Sequence, residues 1–250
     1  MMTYGLIGRP LGHSRSPALF ADLFREEGLK DHRYEAFDLP EIASLADLLQ
    51  QRPDIRGLNV TIPYKQAVIP LLDALDPTAA AVGAVNTIHI AEGRLTGHNT
   101  DVEGFRTTIA PYLKDLVPAG SGIKPRALVL GSGGASRAVA FVLREAGVRF
   151  RIVSRSRERG DLTWDLVDPT VVKVCPLIIN TTPLGMAPDR DTLPDLPYET
   201  IGPRHVLIDL VYEPERTRFL EEGELRGART ENGMAMLRAQ AEAAWRIWKS

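Results

Sequence analysis

The sequence of 250 residues is poor in cysteine and has no excess of positive charge. Its single cysteine, Cys175, cannot form an internal disulfide and cannot by itself hold a metal ion. Its place beside Pro176 in an apolar stretch favours a core position over a nucleophile. The 30 basic and 32 acidic residues give a net charge of −2, whereas nucleic-acid-binding proteins usually have a basic face. We therefore expect a small-molecule ligand, with no metal and no nucleic acid.

Long hydrophobic runs are also absent. No apolar stretch approaches the ~20 residues that cross a bilayer, so we expect no membrane association. The first residues, MMTYGLIGRPLG, lack the charged and then apolar pattern of a signal peptide. A composition of 44% hydrophobic and 25% charged residues is typical of globular proteins. These features predict a cytoplasmic location and leave open whether the chain forms a homodimer.

The first hundred residues alternate short apolar runs with helical patterns. The predicted elements are strands at 4–7, 34–38 and 58–62 and helices at 17–28 and 41–51. This βαβαβ order is typical of a parallel sheet covered by helices. Two more strands are predicted at 85–90 and 94–98, joined by the tight turn Ala91-Glu92-Gly93.

Three further features of this half concern its helices and loops. An amphipathic helix is predicted directly after Pro63, with Lys65 in its first turn. A helix reaching about residue 114 has Thr100 as its candidate N-cap and Glu103 in the capping-box position. Residues 117–125, VPAGSGIKP, predict a surface loop near the entry to a second domain.

The α/β pattern then begins again. The predicted elements are strands at 127–130 and 150–153, a helix at 135–146, two apolar runs at 177–179 and 206–210, and a long helix at 233–248. Both apolar runs end just before polar residues. Such residues lie at the carboxyl edge of a parallel sheet, where ligands bind.

A glycine loop, Gly131-Ser132-Gly133-Gly134, joins the first strand of this half to its helix. Glycines permit close approach of the backbone to a diphosphate, and the helix N-terminus offers free N–H groups. Ser136 stands where the full G-x-G-x-x-G pattern has its last glycine. Glycines also end strands for steric reasons alone, but the βαβ context favours a dinucleotide site.

The end of the second strand indicates which dinucleotide is bound. A site for NAD commonly has an acid about 20 residues past the glycines, whereas arginine accommodates the 2′-phosphate of NADP. Here the sequence reads SRSRER, from Ser154 to Arg159, with no acid before Glu158. NADP(H) is therefore predicted, the alternative being a solvated basic loop.

Polar clusters stand at several strand and helix ends of the first half. They are GHSRSP at 12–17, Asn59 and Thr61 with Lys65, AVNT at 84–87, and NTD at 99–101. Each has a structural alternative: Ser16 before Pro17 is a plausible N-cap, Asp101 suits the first turn of a helix, and Asn86 could bond its own turn. Together, the clusters favour a small polyhydroxylated or carboxylated substrate.

Nine short motifs, taken in order, resemble one family. They are GRPLGHSRSP, NVTIPYK, GAVNT, NTDVEG, GSGGASRA, SRSRER, NTTPLGM, DLVYEPERT and NGMAMLRAQA. The sequence resembles the shikimate dehydrogenases over nearly its whole length. The resemblance implies reversible, NADPH-dependent reduction of 3-dehydroshikimate to shikimate, within the biosynthesis of aromatic amino acids.

The resemblance also implies roles for individual residues. It assigns the substrate carboxylate to the hydroxyls of Ser14 and Ser16. The other substrate-binding residues are Asn59, Thr61, Lys65, Asn86, Asp101, Tyr212 and Gln240. Lys65 and Asp101 are the implied catalytic pair: Lys65 transfers the proton, and Asp101 orients Lys65 and binds substrate.

The implied cofactor site combines the glycine loop, the arginine segment and two later motifs. Its residues are Gly131, Ser132, Gly133, Gly134, Ala135, Ser154, Arg155, Ser156, Arg159, Thr182, Gly233 and Met236. Two positions depart from the family pattern: Ser154 stands where Asn is common, and Ala235 replaces a frequent glycine near the nicotinamide.

The implied fold is α/β with two domains and a cleft between them. A substrate domain with a parallel or mixed sheet comprises residues 1–101 and 233–250, since Gln240 must reach the substrate. A Rossmann-like NADP-binding domain comprises residues 102–232. Two other functions remain open: a quinate/shikimate dehydrogenase with broader substrate and cofactor use, and a non-catalytic sensor of a shikimate-like ligand.

Overall fold

The computed structural model of the chain describes residues 1–12, 14–116 and 124–250. These residues divide into two compact units. Unit 1 consists of Met1–Glu103 and Arg238–Ser250, and unit 2 of Gly104–Leu237. The predicted domain limits, after residue 101 and before residue 233, lie close to these. His13 and most of the predicted loop at 117–125 fall outside the described residues.

Unit 1 contains a six-stranded mixed sheet. Its strands are β1 Met2–Gly8, β2 His32–Asp38, β3 Ile55–Val60, β4 Ala74–Leu75, β5 Thr87–Ala91 and β6 Arg94–His98. Across the sheet they follow the order β2-β1-β3-β5-β6-β4. β1 pairs in parallel with β2 and β3, and β3 pairs antiparallel with β5. The predicted parallel start is confirmed, and the antiparallel β5–β6 hairpin makes the sheet mixed.

Unit 2 contains a six-stranded parallel sheet. Its strands are β7 Arg126–Leu130, β8 Arg149–Ser154, β9 Leu162–Thr163, β10 Leu177–Asn180, β11 Val206–Asp209 and β12 Arg229–Glu231. Their order is β12-β11-β10-β7-β8-β9, which is the doubly wound Rossmann order. The chain reverses its winding direction between β7 and β10, and ligands bind outside the carboxyl ends of the strands at such a point. β10 and β11 are buried throughout, as expected for parallel strands covered on both faces.

Eight α-helices are described in these residues. They are α1 Ser16–Glu26, α2 Leu45–Gln51, α3 Pro77–Val82, α4 Asp101–Leu113, α5 Gly134–Glu145, α6 Pro169–Val174, α7 Arg218–Glu224 and α8 Met234–Trp248. The boundaries between the two units fall within α4 and α8. The short helices α3, α6 and α7 were not predicted, because six or seven residues are too few to show a clear apolar period. Instead, side chains cap them, as Asp76 caps α3 by accepting from two backbone N–H groups.

The predicted helix after Pro63 is wrong. Residues 63–68 form turns, followed by a single 3-10 turn at Ile69–Leu71. The carbonyl of Lys65, which a helix would pair with residue 69, instead accepts from the N–H of Val85 at 2.7 Å. Pro70 has no N–H for the next helical bond. The segment therefore forms successive turns closed by its own backbone, and the Lys65 carbonyl joins it to the loop that contains Val85.

The predicted N-cap of the first helix is also wrong. The N-cap is Arg15, and Ser16 is the first helical residue. The hydroxyl of Ser14 accepts from the N–H of Ser16 at 3.2 Å, so the preceding serine binds the start of the helix. Ser16 does not cap α1 through its own side chain.

An aromatic cluster packs α8 against the sheet of unit 1. Its residues are Tyr4, Phe20, Phe24, Trp245 and Trp248, all at least 95% buried. The indole N–H of Trp248 donates to the carbonyl of Ile88 at 2.9 Å. Its ring covers Gly57 so closely that a β-carbon there would lie 2.2 Å from Nε1. This packing keeps the C-terminal part of α8 in unit 1, including Gln240, which is half-buried.

Candidate active site

Lys65 and Asp101 form an ion pair in unit 1. Lys65 Nζ lies 2.6 Å from Asp101 Oδ2. The Lys65 side chain is 15% exposed and the Asp101 side chain 2%. Lys65 comes from the turns after β3, and Asp101 is the first residue of α4. The sequence-predicted catalytic pair is thus brought together, with the ammonium group as its more accessible partner.

The side chain of Asn86 connects this pair to Gln240. Its amide nitrogen lies 2.9 Å from Asp101 Oδ1 and 3.2 Å from Gln240 Oε1. Its oxygen accepts from the backbone N–H of Thr100 at 2.7 Å. Asn86 is 3% exposed. Of the two carboxylate oxygens of Asp101, Oδ1 accepts from Asn86 and Oδ2 accepts from Lys65. Four residues predicted from separate motifs therefore form one continuous polar cluster.

Threonines at 87 and 100 complete this cluster, and sequence reasoning gave them no role in the site. The hydroxyl of Thr87 donates to Asn86 Oδ1, and the Thr100 hydroxyl lies within 3.2 Å of the Thr87 hydroxyl. At the start of α4 it is Asn99 whose side chain accepts from the N–H of Val102, at 3.3 Å. Both threonines belong to the predicted polar clusters AVNT and NTD, where they stand next to predicted site residues.

Asn59 uses its side chain within the protein. Its oxygen accepts from the hydroxyl of Tyr34 at 2.8 Å, and its nitrogen donates to Asn86 O and Thr87 Oγ1. Thr61 is half-buried in the turn after β3, where its carbonyl accepts from the N–H of Tyr64. Asn59 therefore supports the loop that contains Asn86 through hydrogen bonds within the protein.

The remaining predicted substrate residues lie in other segments. Ser14 and Ser16 are half-buried in the loop after β1 and the first turn of α1. Since β1 and β3 are parallel neighbours, this loop lies at the same sheet edge as the turns that contain Lys65. Tyr212 belongs to unit 2, where it is half-buried after β11.

The glycine loop of unit 2 lies at the point where the sheet reverses its winding. Gly131 has φ +107°, and a β-carbon there would lie 2.7 Å from the hydroxyl oxygen of Thr181. Gly133 is the N-cap of α5 and has no side chain to occupy the first N–H groups of this helix. A backbone that approaches closely, combined with a free helix N-terminus, suits a diphosphate. The loop therefore fits a dinucleotide.

The segment after β8 provides positive charge beside this loop. Ser154 is buried, and its hydroxyl lies 3.0 Å from the hydroxyl of Ser132. Arg155, Arg157 and Arg159 are exposed. Within the described residues, none of their guanidinium groups has a hydrogen-bond or salt-bridge partner. The free guanidinium groups of Arg155 and Arg159, the two arginines of the predicted cofactor set, fit the 2′-phosphate of NADP.

A second polar network occupies the ends of β10 and β11. The carboxylate of Asp209 accepts from Asn180 Nδ2 at 2.9 Å, Val211 N at 3.0 Å and Thr217 Oγ1 at 2.6 Å. Burial raises the pKa of Asp209 to about 6, while these three hydrogen bonds act in the opposite direction. Sequence reasoning noted that both strands end before polar residues but assigned no role to this network.

The other predicted cofactor residues lie around this network. Thr182 is half-buried, and its hydroxyl donates to Asn180 Oδ1 at 2.6 Å. Gly233 is buried, and its N–H donates to the carbonyl of Val211. Met236 is also buried, at 5% exposure.

Cys175 is buried, as predicted. Burial raises the pKa of its thiol to about 11, which keeps it protonated and unreactive near neutral pH. In the described ranges, no three His, Cys, Asp or Glu side chains are grouped as a metal site would require. Nor does any described helix have the length and apolar character needed to cross a membrane.

A Rossmann unit with free arginines after its second strand suits NADP, and a lysine–aspartate pair can exchange a proton with a substrate. These two features define an NADP-dependent oxidoreductase. The family model described as the shikimate dehydrogenase substrate binding domain matches residues 6–88. The NADP(+) shikimate dehydrogenase of Thermus thermophilus is 39% identical, over 99% of this chain and 92% of that protein. The chain belongs to the shikimate dehydrogenase family.

Two solved structures bear on ligands. A shikimate 5-dehydrogenase of Thermus thermophilus, solved in complex with NADP(H) and shikimate, is 38% identical with a TM-score of 0.84. The alignment covers 99% of this chain and 93% of that one. The quinate dehydrogenase of Corynebacterium glutamicum, solved in complex with NAD, has the same TM-score of 0.84 at 30% identity, with 99% and 93% coverage.

Proposed function

We infer that the chain catalyses the reversible, NADPH-dependent reduction of 3-dehydroshikimate to shikimate. The observation that carries this inference is the Lys65–Asp101 pair, bonded through Asn86 to Gln240, in a chain of the shikimate dehydrogenase family. The free arginines beside the glycine loop support NADP(H) as the cofactor. When bound, NADPH supplies a hydride to the carbonyl carbon, and NADP+ accepts it in the reverse direction.

Lys65 is proposed to move the proton. In the reduction, its ammonium group donates a proton to the carbonyl oxygen as that oxygen gains charge. In the oxidation, the neutral amine accepts the proton of the same hydroxyl. Asp101 holds the amine of Lys65 at 2.6 Å, and Asn86 in turn holds Asp101 at 2.9 Å. This arrangement fixes the position of the lysine before substrate binds.

The other predicted residues are proposed to bind substrate. The hydroxyls of Ser14 and Ser16, beside the N-terminus of α1, bind the carboxylate. Thr61, Asn86, Asp101 and Gln240 bind the ring hydroxyls, and the family resemblance assigns Tyr212 of unit 2 to the substrate as well. Asn59 contributes by holding the loop of Asn86. A cytoplasmic location and the absence of a nucleic-acid partner remain predictions from the sequence.

The first test is a four-way assay of purified protein, with shikimate or quinate and with NADP or NAD, followed through the reduced nicotinamide. Turnover only with shikimate and NADP is expected. Comparable turnover with quinate or NAD would place the chain with the broader-specificity enzymes, in line with its 30% identity to a quinate dehydrogenase. No turnover in any combination, with shikimate binding still measurable, would favour the sensor.

A Lys65→Ala variant tests the proton transfer itself. We expect kcat to fall by about 10²–10⁴-fold, the usual contribution of a positioned acid–base group. Shikimate binding, followed by its effect on thermal unfolding, shows whether the variant still folds and binds. Lys173→Ala is the matched control, because Lys173 is an exposed lysine on α6. Nearly normal turnover of Lys65→Ala would refute the assignment.

A further inference from the structure

Asp209 is hydrogen-bonded to three segments of unit 2. It is the last residue of β11, fully buried, and it accepts three hydrogen bonds. The donors come from the end of β10, from the residue two positions past Asp209, and from the N-cap of α7. A buried carboxylate is costly unless it is hydrogen-bonded. Asn180 and Val211 both donate to Oδ1 of Asp209, whereas Thr217 donates to Oδ2.

Two of the donors lead directly to predicted cofactor residues. Asn180 donates to Asp209 through its nitrogen and accepts from the N–H and the hydroxyl of Thr182 through its oxygen, at 3.0 and 2.6 Å. Val211 donates to Asp209 through its N–H, and its carbonyl accepts from the N–H of Gly233 at 3.0 Å. Thr182 and Gly233 are therefore each one residue removed from the same carboxylate.

The strand order shows which part of a dinucleotide would meet these residues. β7, which leads into the glycine loop, lies between β8 on one side and β10 on the other. The arginine segment follows β8, whereas the Asp209 network follows β10 and β11. With the diphosphate on the glycine loop and the 2′-phosphate at the arginines, the other end of the cofactor extends over β10 and β11. That end is the nicotinamide.

We propose that Asp209 is a positioning residue, which holds Thr182 and Gly233 in the places where the nicotinamide end of the cofactor binds. The proposal rests on the NADP(H) dependence inferred above. Asp209 itself does not contact the cofactor in this scheme. Its effect is transmitted through the side chain of Asn180 and the backbone of Val211.

The test separates the two ends of the cofactor in the full-length protein. NADPH affinity is measured by nucleotide fluorescence without substrate, and adenosine 2′,5′-bisphosphate, which lacks the nicotinamide, is measured by competition. For Asp209→Ala we expect NADPH affinity to fall about tenfold while bisphosphate affinity stays unchanged. Asp209→Asn should retain most of the NADPH affinity, because the amide oxygen of the asparagine can still accept from Asn180 and Val211.

Two further variants keep the proposal falsifiable if Asp209→Ala does not fold. Asn180→Ala removes the link to Thr182 and should show the same loss for NADPH alone. Thr217→Val removes the bond on the α7 side, and both affinities should stay within about twofold of the parent protein. Equal loss of both affinities in the folded Asp209 or Asn180 variants, or no loss of either, would overturn the proposal. Because these are binding measurements, they remain valid if the protein fails to oxidise shikimate.

Discussion

Every polar atom of the Asn86 side chain is already used inside unit 1. Its two N–H groups face three acceptors, on Asp101, Thr100 and Gln240, and its oxygen accepts from Thr87 and Thr100. A ligand hydroxyl that contacts this side chain must therefore share or replace one of these bonds. The contact with Gln240, at 3.2 Å, is the longest of those made by the amide nitrogen. Gln240 is also only half-buried. This contact is the one most easily exchanged for a substrate hydroxyl.

Arg155 offers a prediction at the residue scale. In an Arg155→Ala variant we expect KM for NADP to rise about 10–100-fold, since a hydrogen bond to a charged group contributes ~1.5–3 kcal/mol. KM for NAD, which has no 2′-phosphate, should be unchanged. Arg157→Ala is the control, because Arg157 is exposed in the same segment but lies outside the predicted cofactor set. Steady-state kinetics with both nucleotides measures the difference, and an equal change for NAD and NADP would contradict it.

The residues with the strongest motif signal could be predicted from the sequence, and those whose role depends on contact could not. Lys65 and Asp101 are 36 positions apart, and the resemblance paired two side chains that the structure places 2.6 Å from each other. Asn180 and Asp209 have no such signal, because a polar residue at a strand end is common and its partners lie in other loops. The hydrogen bond from Tyr34 to Asn59 could not be predicted either, since it depends on the registers in which β2 and β3 each pair with β1.

At the scale of elements, α8 connects packing to the site. Its last turns are held by the aromatic cluster and by the bond from Trp248 to Ile88, and Gln240 lies on the same helix. The periodicity of residues 233–248 predicted this helix almost to the residue. The turns after Pro63 show the opposite case, because the apolar pattern there resembles a helix while Val85 takes the carbonyl that a helix would need. A local pattern cannot reveal a competing partner twenty residues away.

Gly57 provides the prediction for this scale. In Gly57→Ala, the new β-carbon would lie 2.2 Å from Nε1 of Trp248, so α8 or β3 must shift. We expect the free energy of unfolding to fall by about 1–3 kcal/mol, as overpacking usually costs. Thermal unfolding without ligand measures the loss. Gly12→Ala is the control in the same unit, because a β-carbon at residue 12 meets nothing within 4 Å. Equal destabilisation by the two substitutions would show that the contact with Trp248 is not responsible.

At the scale of the whole molecule, the two sets of functional residues separate by unit. All the predicted substrate residues except Tyr212 belong to unit 1, and all the predicted cofactor residues belong to unit 2. The repeat of the α/β pattern after residue 125 predicted this division from the sequence. The return of the chain to unit 1 at Arg238–Ser250 could be predicted only through the resemblance, because the helical pattern of α8 continues without a break across the boundary.

This separation predicts which amides each ligand protects from hydrogen exchange. Bound shikimate should slow exchange in the turns around Lys65 and in the first turn of α4, within unit 1. Adenosine 2′,5′-bisphosphate should slow exchange at residues 131–138 and 154–159, within unit 2. Ligand at about 100 times its Kd stabilises the bound form by ~2.7 kcal/mol, so exchange through local opening should slow by about 100-fold.

Peptide-resolved mass spectrometry of the exchanged protein measures both patterns, with inorganic phosphate at the same concentration as the control for the bisphosphate. Protection of the glycine loop by the bisphosphate but not by phosphate would support a nucleotide site made by the loop and the arginine segment together. If shikimate protected residues 131–138 and left the region of Lys65 unchanged, the assignment of substrate to unit 1 would be wrong. The arginines of the segment after β8 would then have to be reconsidered as a site for the substrate carboxylate, because they are exposed cationic groups beside the glycine loop that no described residue already pairs.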